Sequence, residues 1–236
     1  MTGRQALRLL LREYEECDRC PLLCESRTQI VFGSGSATAD IMIIGEAPGA
    51  EEDLDGIPFT GKSGRLLLQL LEKVWGDEER LQKIREVQDN REYFRLIRDV
   101  VEDRIFFTNV VLCRPEENRT PSAQEVKNCR ERLHRTIYAV DPKLIIAAGK
   151  TAASAILGKN VGILKRRGEI FDVSIASPVT GREVRYPMMA VLHPSFLLRK
   201  GDRTLVSKKS GDTYKTMGDL RYGLSLLQEY DRITGE

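Results

Sequence analysis

Residues 40–64, DIMIIGEAPGAEEDLDGIPFTGKSG, constrain the fold of this chain more than any other stretch. Ile41 to Ile44 is an apolar run of strand length, the pattern of a strand buried on both faces. Gly45-Glu-Ala-Pro-Gly49 ends it, because two glycines and a proline cannot continue a central strand. Glu51, Glu52, Asp53 and Asp55 follow as an acidic loop. The turn Thr60-Gly-Lys-Ser-Gly64 then opens into Leu66 to Leu71, an apolar-rich run that reads as a helix. Strand, acidic loop and helix in succession put the acids at the carboxyl end of a strand, where open α/β sheets build their sites.

Most acid-rich loops are simply solvated connections. Two features set this one apart. Glu46 sits between Gly45 and Ala47, small neighbours that leave room for a ligand against the backbone. Pro58-Phe59 places an aromatic ring in the same turn region. Gly56 to Ser63 also matches the spacing of a phosphate-binding loop, GxxxxGK[ST]. That loop does not leave its strand directly, and Asp53 and Asp55 would repel a triphosphate, so nucleotide hydrolysis is the weaker reading.

Along the rest of the chain, helix and strand patterns alternate. An amphipathic helix over 4–16 carries Arg and Glu through its apolar positions, unlike a signal peptide. RTQIVF (27–32) reads as a strand, and 77–104 as one or two surface helices. Ile105 to Leu112, Leu144 to Ala148 and Met188 to Leu192 read as further buried strands, and Ile170 to Ile175 with Glu183 to Tyr186 as a hairpin. Ser122 caps a helix, with Glu125 at the capping-box position, that carries Cys129 and runs to Tyr138. Later helices are expected over 151–157 and from Thr216 to Tyr230, after a basic loop at 200–215. Such alternation indicates a mostly parallel sheet covered on both faces.

The strand ends carry the chemistry. Asn109 interrupts an apolar run, and a buried amide costs free energy unless it is satisfied, so it caps neighbouring backbone or waits for a ligand. Of the two histidines, His134 lies in a polar helix and reads as a surface residue. His193 follows an apolar strand and precedes Pro-Ser, which makes it the stronger site candidate. A parallel sheet collects Glu46, Asn109 and His193 on one edge.

Five cysteines and no signal sequence argue for a cytoplasmic chain without a disulfide framework. Cys17 and Cys20 form a CxxC, Cys24 follows, and Cys113 and Cys129 lie far downstream. Buried free cysteine would explain the last two. Four-thiolate sites hold zinc or an iron–sulfur cluster, and the wide split of the second pair favours a cluster, with Cys24 spare or a rival for Cys17 or Cys20. Net charge is +2, but residues 159–236 carry 14 basic against 9 acidic side chains, a modest basic lobe that could face phosphates. No apolar run is long enough to span a membrane.

GEAPGAEED (45–53), PFTGKSG (58–64), TNVVLCRP (108–115), NRTPS (118–122) and HPSFLLR (193–199) together resemble the motifs of the family 4 uracil-DNA glycosylases, the iron–sulfur branch of that superfamily. CxxCPL (17–22) and DLRYGLSLL (219–227) are similar to the two ends of the same family, and the motifs run in order over most of the chain.

The resemblance implies a three-layer α/β/α fold around a mostly parallel four-stranded sheet, in a single domain over 1–236, with 77–104 and 200–215 as insertions. It implies hydrolysis of the N-glycosidic bond of uracil in single- or double-stranded DNA, releasing uracil and leaving an abasic site; a monomer is the default expectation for an enzyme that scans DNA. Phe59 would stack on the flipped base and Asn109 would read its edge beside Gly45 and Ala47. His193 would donate to uracil O2, with Glu46, or second Glu52, on the sugar side. Ser195, Ser63 in the turn 61–64, and Arg199 would hold phosphates. Cys17, Cys20, Cys113 and Cys129 would ligate a [4Fe–4S] cluster. A member of the superfamily that binds DNA without cleaving it is the alternative. Covalent capture through a loop histidine does not fit, because Gly168, Glu169 and Ile170 follow the arginines of the 165–168 turn.

Overall fold

Alternation along the strands divides the core into two halves. The computed structural model describes residues 2–75, 78–200 and 211–234. Helices α1 (Gly3–Tyr14) and α2 (Pro21–Ser26) precede the short β1 (Ser34–Gly35) and the central β2 (Ile41–Gly45). Next come α3 (Ala50–Asp55), α4 (Lys62–Trp75), α5 (Glu78–Arg85), α6 (Asn90–Glu102) and β3 (Ile105–Asn109). Then α7 (Ala123–Val140), β4 (Leu144–Ala148), α8 (Lys150–Leu157) and α9 (Ile163–Arg166) lead to the hairpin β5 (Ile170–Ala176) and β6 (Glu183–Val191). Last are α10 (Pro194–Arg199) and α11 (Asp212–Thr234).

The sheet order is β1-β3-β2-β4-β6-β5. Strands β3, β2, β4 and β6 are mutually parallel, and β1 and β5 are antiparallel edges. Ile41 and Ile43 face α4, α6 and α11, where Leu67, Leu70, Ile97 and Leu220 complete one half of the core. Met42 and Ile44 face the other half, built with Leu133, Ile137, Ala152 and Ile156 of α7 and α8. Burial of each Leu, Ile and Met side chain among these contributes about 1.5–3 kcal/mol. The result is three layers, helices on both faces of a sheet. Successive connections leave β2 first toward β3 and then back toward β4, so the strand order reverses there. A crevice opens outside the carboxyl ends of the strands at such a reversal.

The expected four-stranded sheet is thus the parallel centre of a six-stranded one. RTQIVF is not a strand: the Thr28 N–H is taken by the Asp53 carboxylate (3.0 and 2.9 Å) and the Gln29 amide holds carbonyls at the end of α3. Strand pairing on that edge falls instead to Ser34 and Gly35, opposite Phe107 and Phe106. The hairpin arm and the fourth expected strand are one strand, β6. Pro187, which divides them in sequence, pairs only with β5, because β4 first meets β6 at Met188. The expected acidic loop is helical, with Glu51, Glu52 and Asp53 in the first turn of α3, where the helix dipole favours them. The last helix starts at Asp212, earlier than its pattern indicates. His134 is half-buried, not a surface residue, and its Nε2 has no hydrogen-bond partner. Most of the expected 200–215 loop, residues 201–210, lies outside the described residues. No helix among the described residues is long and apolar enough to cross a membrane.

Candidate active site and cysteine corner

The four parallel strands end at one cleft of about 600 Å³. Glu46 leaves β2, Asn109 ends β3, Thr151 follows β4, and His193 follows β6, and all four line it. The ends of β2 and β3 stay paired beyond the sheet, since Val110 N–H donates to the Gly45 carbonyl (2.9 Å) and Val111 N–H to that of Glu46 (3.1 Å). That pairing fixes Glu46 and Asn109 side by side.

Gly45 is required by close approach: a Cβ there would collide with Asn109 Oδ1 and with the Phe59 ring. The Asn109 side chain is 4% exposed, yet its amide makes no hydrogen bond to the described residues. Phe59 is buried at φ 60°, a strained backbone for an aromatic residue, with its ring 5.6 Å from that of Phe107. Arg98 of α6 braces that turn, donating to the carbonyls of Pro58 (2.8 Å) and Phe59 (3.4 Å) while paired with Glu102.

His193 caps α10. Its Nδ1 accepts from the Ser195 N–H (3.1 Å), and the Ser195 hydroxyl lies 2.8 Å from the same nitrogen. Nδ1 therefore carries no proton. Burial, with the Arg199 charge adding to it, pushes the imidazole down to about 4, so at neutral pH the ring is uncharged and its one proton sits on Nε2. Gly149, at φ 95°, lets β4 pass close to His193, whose Cβ would be 2.9 Å from a Cβ at that position.

The two candidate carboxylates differ in their partners. Glu46 accepts one hydrogen bond, from the Thr151 hydroxyl at 2.5 Å. Glu52 is buried and accepts from the Gly49 N–H (3.1 Å) and the Gly61 N–H (3.0 Å), so it ties the two glycine turns together. Ala47, Ser63, Ser195 and Arg199 also line the cleft, and Arg199 donates to the Ser195 hydroxyl at 3.3 Å. Lys62, the key residue of the phosphate-loop reading, is exposed and is not among the lining residues.

Cys17, Cys20, Cys113 and Cys129 come together on the other side of the strand end at 109–113. Cys17 and Cys129 lie within electrostatic reach of both Cys20 and Cys113. Asn128 Nδ2 donates to the Cys20 sulfur (3.2 Å) and Arg27 Nη1 to the Cys113 sulfur (3.1 Å). Burial pushes the Cys113 thiol up to about 11, with Arg27 offsetting part of the rise. The Cys24 sulfur instead turns to the Cys17 carbonyl at 3.6 Å. Among the described residues, no three His, Cys, Asp or Glu side chains are grouped to hold one metal ion. Four thiolates are the donor set that an iron–sulfur cluster takes. The donor set fits such an anionic group in a second way, because Arg132 is fully buried beside Cys129 and Cys113, with Nε and Nη1 making no hydrogen bond of ordinary geometry.

Residues 32–217 match the family model of the uracil DNA glycosylase superfamily. The chain is 34% identical over 205 residues to the type-4 uracil-DNA glycosylase of Thermotoga maritima, covering 86% of this chain and 89% of that protein. It is 32% identical to the Pyrobaculum aerophilum type-4 enzyme (79% and 81% covered) and 28% identical to the Archaeoglobus fulgidus one (89% and 91%). The chain belongs to the type-4 uracil-DNA glycosylases.

Within this type-4 glycosylase, all the sequence-predicted strand-end residues gather at the cleft, and Gly45 supports it from beneath. Sequence reasoning missed Thr151, whose only signal is its place after the Gly149 turn. It also missed Arg98 and Arg132, which read as ordinary charges on amphipathic helices.

Proposed function

We propose that the cleft receives a uracil nucleotide flipped out of DNA and that the residues described above hydrolyse its N-glycosidic bond. The protein is a monofunctional uracil-DNA glycosylase, a hydrolase of DNA repair; the roles of individual residues are our assignment. The observation that carries it is the unpaired, buried Asn109 amide, which shares one cleft with the Phe59 ring and a neutral His193. Enzymes that act on a base take it from the stack and read its edge in a pocket. The Asn109 oxygen accepts from uracil N3–H and its nitrogen donates to O4. Cytosine presents a donor where uracil has O4, which leaves two donors opposed and supplies discrimination. Phe59 stacks on the flipped ring, while Gly45 and Ala47 leave space beside it.

As the C1′–N1 bond breaks, its electron pair leaves with the base and the sugar gains oxocarbenium character. His193 Nε2–H donates to uracil O2, where negative charge develops. Glu46, its orientation held by the Thr151 hydroxyl, offsets positive charge on the sugar and orients the water whose oxygen bonds to C1′ and whose surplus proton passes through the carboxylate to solvent. The released base recovers a proton from solvent, and an abasic site remains. Glu52 holds the turns that carry Phe59 and Ser63, so Glu46 is the reacting carboxylate and Glu52 a positioning residue. Ser63, Ser195 and Arg199 hold the phosphates flanking the flipped nucleotide.

Cys17, Cys20, Cys113 and Cys129 would hold a [4Fe–4S] cluster, with Cys24 outside it. When bound, the cluster supplies a cross-link between the segment after α1, the end of β3 and α7, and hydrolysis needs no redox step from it. The chain acts as one domain and as a monomer in the cytoplasm, on single- or double-stranded DNA. Segment 77–104 braces the Phe59 turn through Arg98.

Release of free uracil from a uracil-containing oligonucleotide, followed by alkaline cleavage of the abasic site, tests this function. Wild type is expected to cleave, and Glu46→Ala to cleave at least about 100-fold more slowly. A folded, iron-loaded wild type that binds the oligonucleotide and releases no base would replace it with the non-cleaving DNA-binding protein.

A further inference from the structure

Arg132 is the most deeply buried cation described in the molecule, with 0% exposure. It lies on α7 three residues beyond Cys129, hence on the same helix face. Its Nη2 donates to the carbonyls of Asn109 (2.9 Å) and Val110 (2.7 Å). Its Nε and Nη1 make no hydrogen bond of ordinary geometry, though the Cys129 sulfur lies close enough to interact with the guanidinium, and it pairs with no carboxylate among the described residues. The groups around it able to carry negative charge are the thiols of Cys129 and Cys113 and the Tyr14 phenol. An uncompensated charge in a protein interior is strongly destabilising. Protein atoms alone leave this one uncompensated, whereas a cluster with four thiolate ligands is a net anion at the right place.

The same guanidinium touches the base-reading strand end. Segment 109–111 is held from one side by Gly45 and Glu46, which accept from the Val110 and Val111 N–H groups. Arg132 holds it from the other side through two carbonyls. The Asn109 side chain itself has no hydrogen bond to fix it, so its aim depends on that backbone.

We propose that Arg132 is the internal counter-ion of the cluster and, through the Asn109 and Val110 carbonyls, the residue that positions the base-reading amide. This deepens the functional reading above and rests on it. Arg132 is a positioning residue that touches neither base nor sugar. Arg27 and Asn128 also donate to cysteine sulfurs, but neither donates to the Asn109 or Val110 carbonyl.

The test compares full-length, iron-loaded wild type, Arg132→Gln and Arg132→Lys by cluster reduction potential, iron loss to a chelator, and kcat on a uracil oligonucleotide. A nearby cation favours the more negative, reduced cluster, so Arg132→Gln should shift the potential down and lose iron about tenfold faster. Its kcat should fall about tenfold as the strand end loosens. Arg132→Lys should restore most of the potential but not kcat, because one ammonium cannot face the sulfurs and also donate to both carbonyls. Unchanged potential and iron loss in Arg132→Gln would overturn the counter-ion role, and unchanged kcat in both variants would overturn the positioning role. If Arg132→Gln does not fold, Arg132→Lys decides: wild-type kcat there overturns the positioning role, and a potential shifted far from wild type overturns the counter-ion role. If wild type releases no uracil, the glycosylase reading fails, while potential and iron loss still decide the counter-ion role.

Discussion

The cleft and the cysteine corner share one strand end, yet they treat their polar groups in opposite ways. In the cleft, the Asn109 amide is left without a hydrogen bond to the described residues and Glu46 has a single partner. Four residues beyond Asn109, the Cys113 sulfur accepts from Arg27, and nearby the Cys20 sulfur accepts from Asn128. Unpaired buried groups cost stability and are retained where a ligand completes them for part of a catalytic cycle. Partnered sulfurs suit a group that stays. The difference separates a transient guest from a resident one, and it predicts that substitutions on the two sides fail differently.

The largest effect on stability should come from the corner. Cys113→Ala should lose iron and, by leaving the Arg132 and Arg27 charges without their counter-charge, destabilise the fold by about 3–5 kcal/mol. Iron content and a denaturant titration check it, and a stable, iron-loaded variant would break the comparison. Cleft substitution should instead strike the rate. His193→Ala should lower kcat by about 100- to 1000-fold, while losing the cap on α10 costs about 1 kcal/mol. Single-turnover excision beside a thermal melt separates the two numbers.

Arg98 sharpens the boundary, since it serves the cleft from outside. Arg98→Ala frees the Pro58 and Phe59 carbonyls and should cost about 1–3 kcal/mol, with weaker substrate binding as the Phe59 turn relaxes. A raised KM with iron content unchanged would assign it to the cleft side. A further effect is one of pH. His193 titrates near 4 in the folded protein, below its ordinary 6.5. Between those values the unfolded chain binds the extra proton, so the contribution of His193 to stability is present above about 6.5 and declines as pH falls toward 4. That decline should disappear in His193→Gln. Excision should show no loss of His193 function between pH 7 and pH 5.

Much of the cleft is legible in the sequence because apolar strands end abruptly at Gly45, Gly149 and His193, Asn109 interrupts another apolar run, and a parallel sheet brings such ends together. Phe59 is legible as a ring out of place in a polar turn. The edge strands are not, since Ser34 and Gly35 carry no strand pattern, and RTQIVF carries one that Asp53 overrides by taking the Thr28 N–H. The division of labour between Glu46 and Glu52 also escapes the sequence, because it depends on which backbone N–H groups the folded turns present. Arg98 and Arg132 lie furthest from view: a helix pattern shows an arginine, but only packing shows that it is buried and what its guanidinium holds.

The central claim is that the free Asn109 amide reads uracil. The most direct measurement is base release by wild type and Asn109→Asp from matched oligonucleotides containing uracil, cytosine or thymine, with iron loading confirmed in both. The account predicts release of uracil alone by wild type, and a variant that loses either its preference for uracil or all activity while keeping its cluster. Full uracil-selective excision by Asn109→Asp would contradict it.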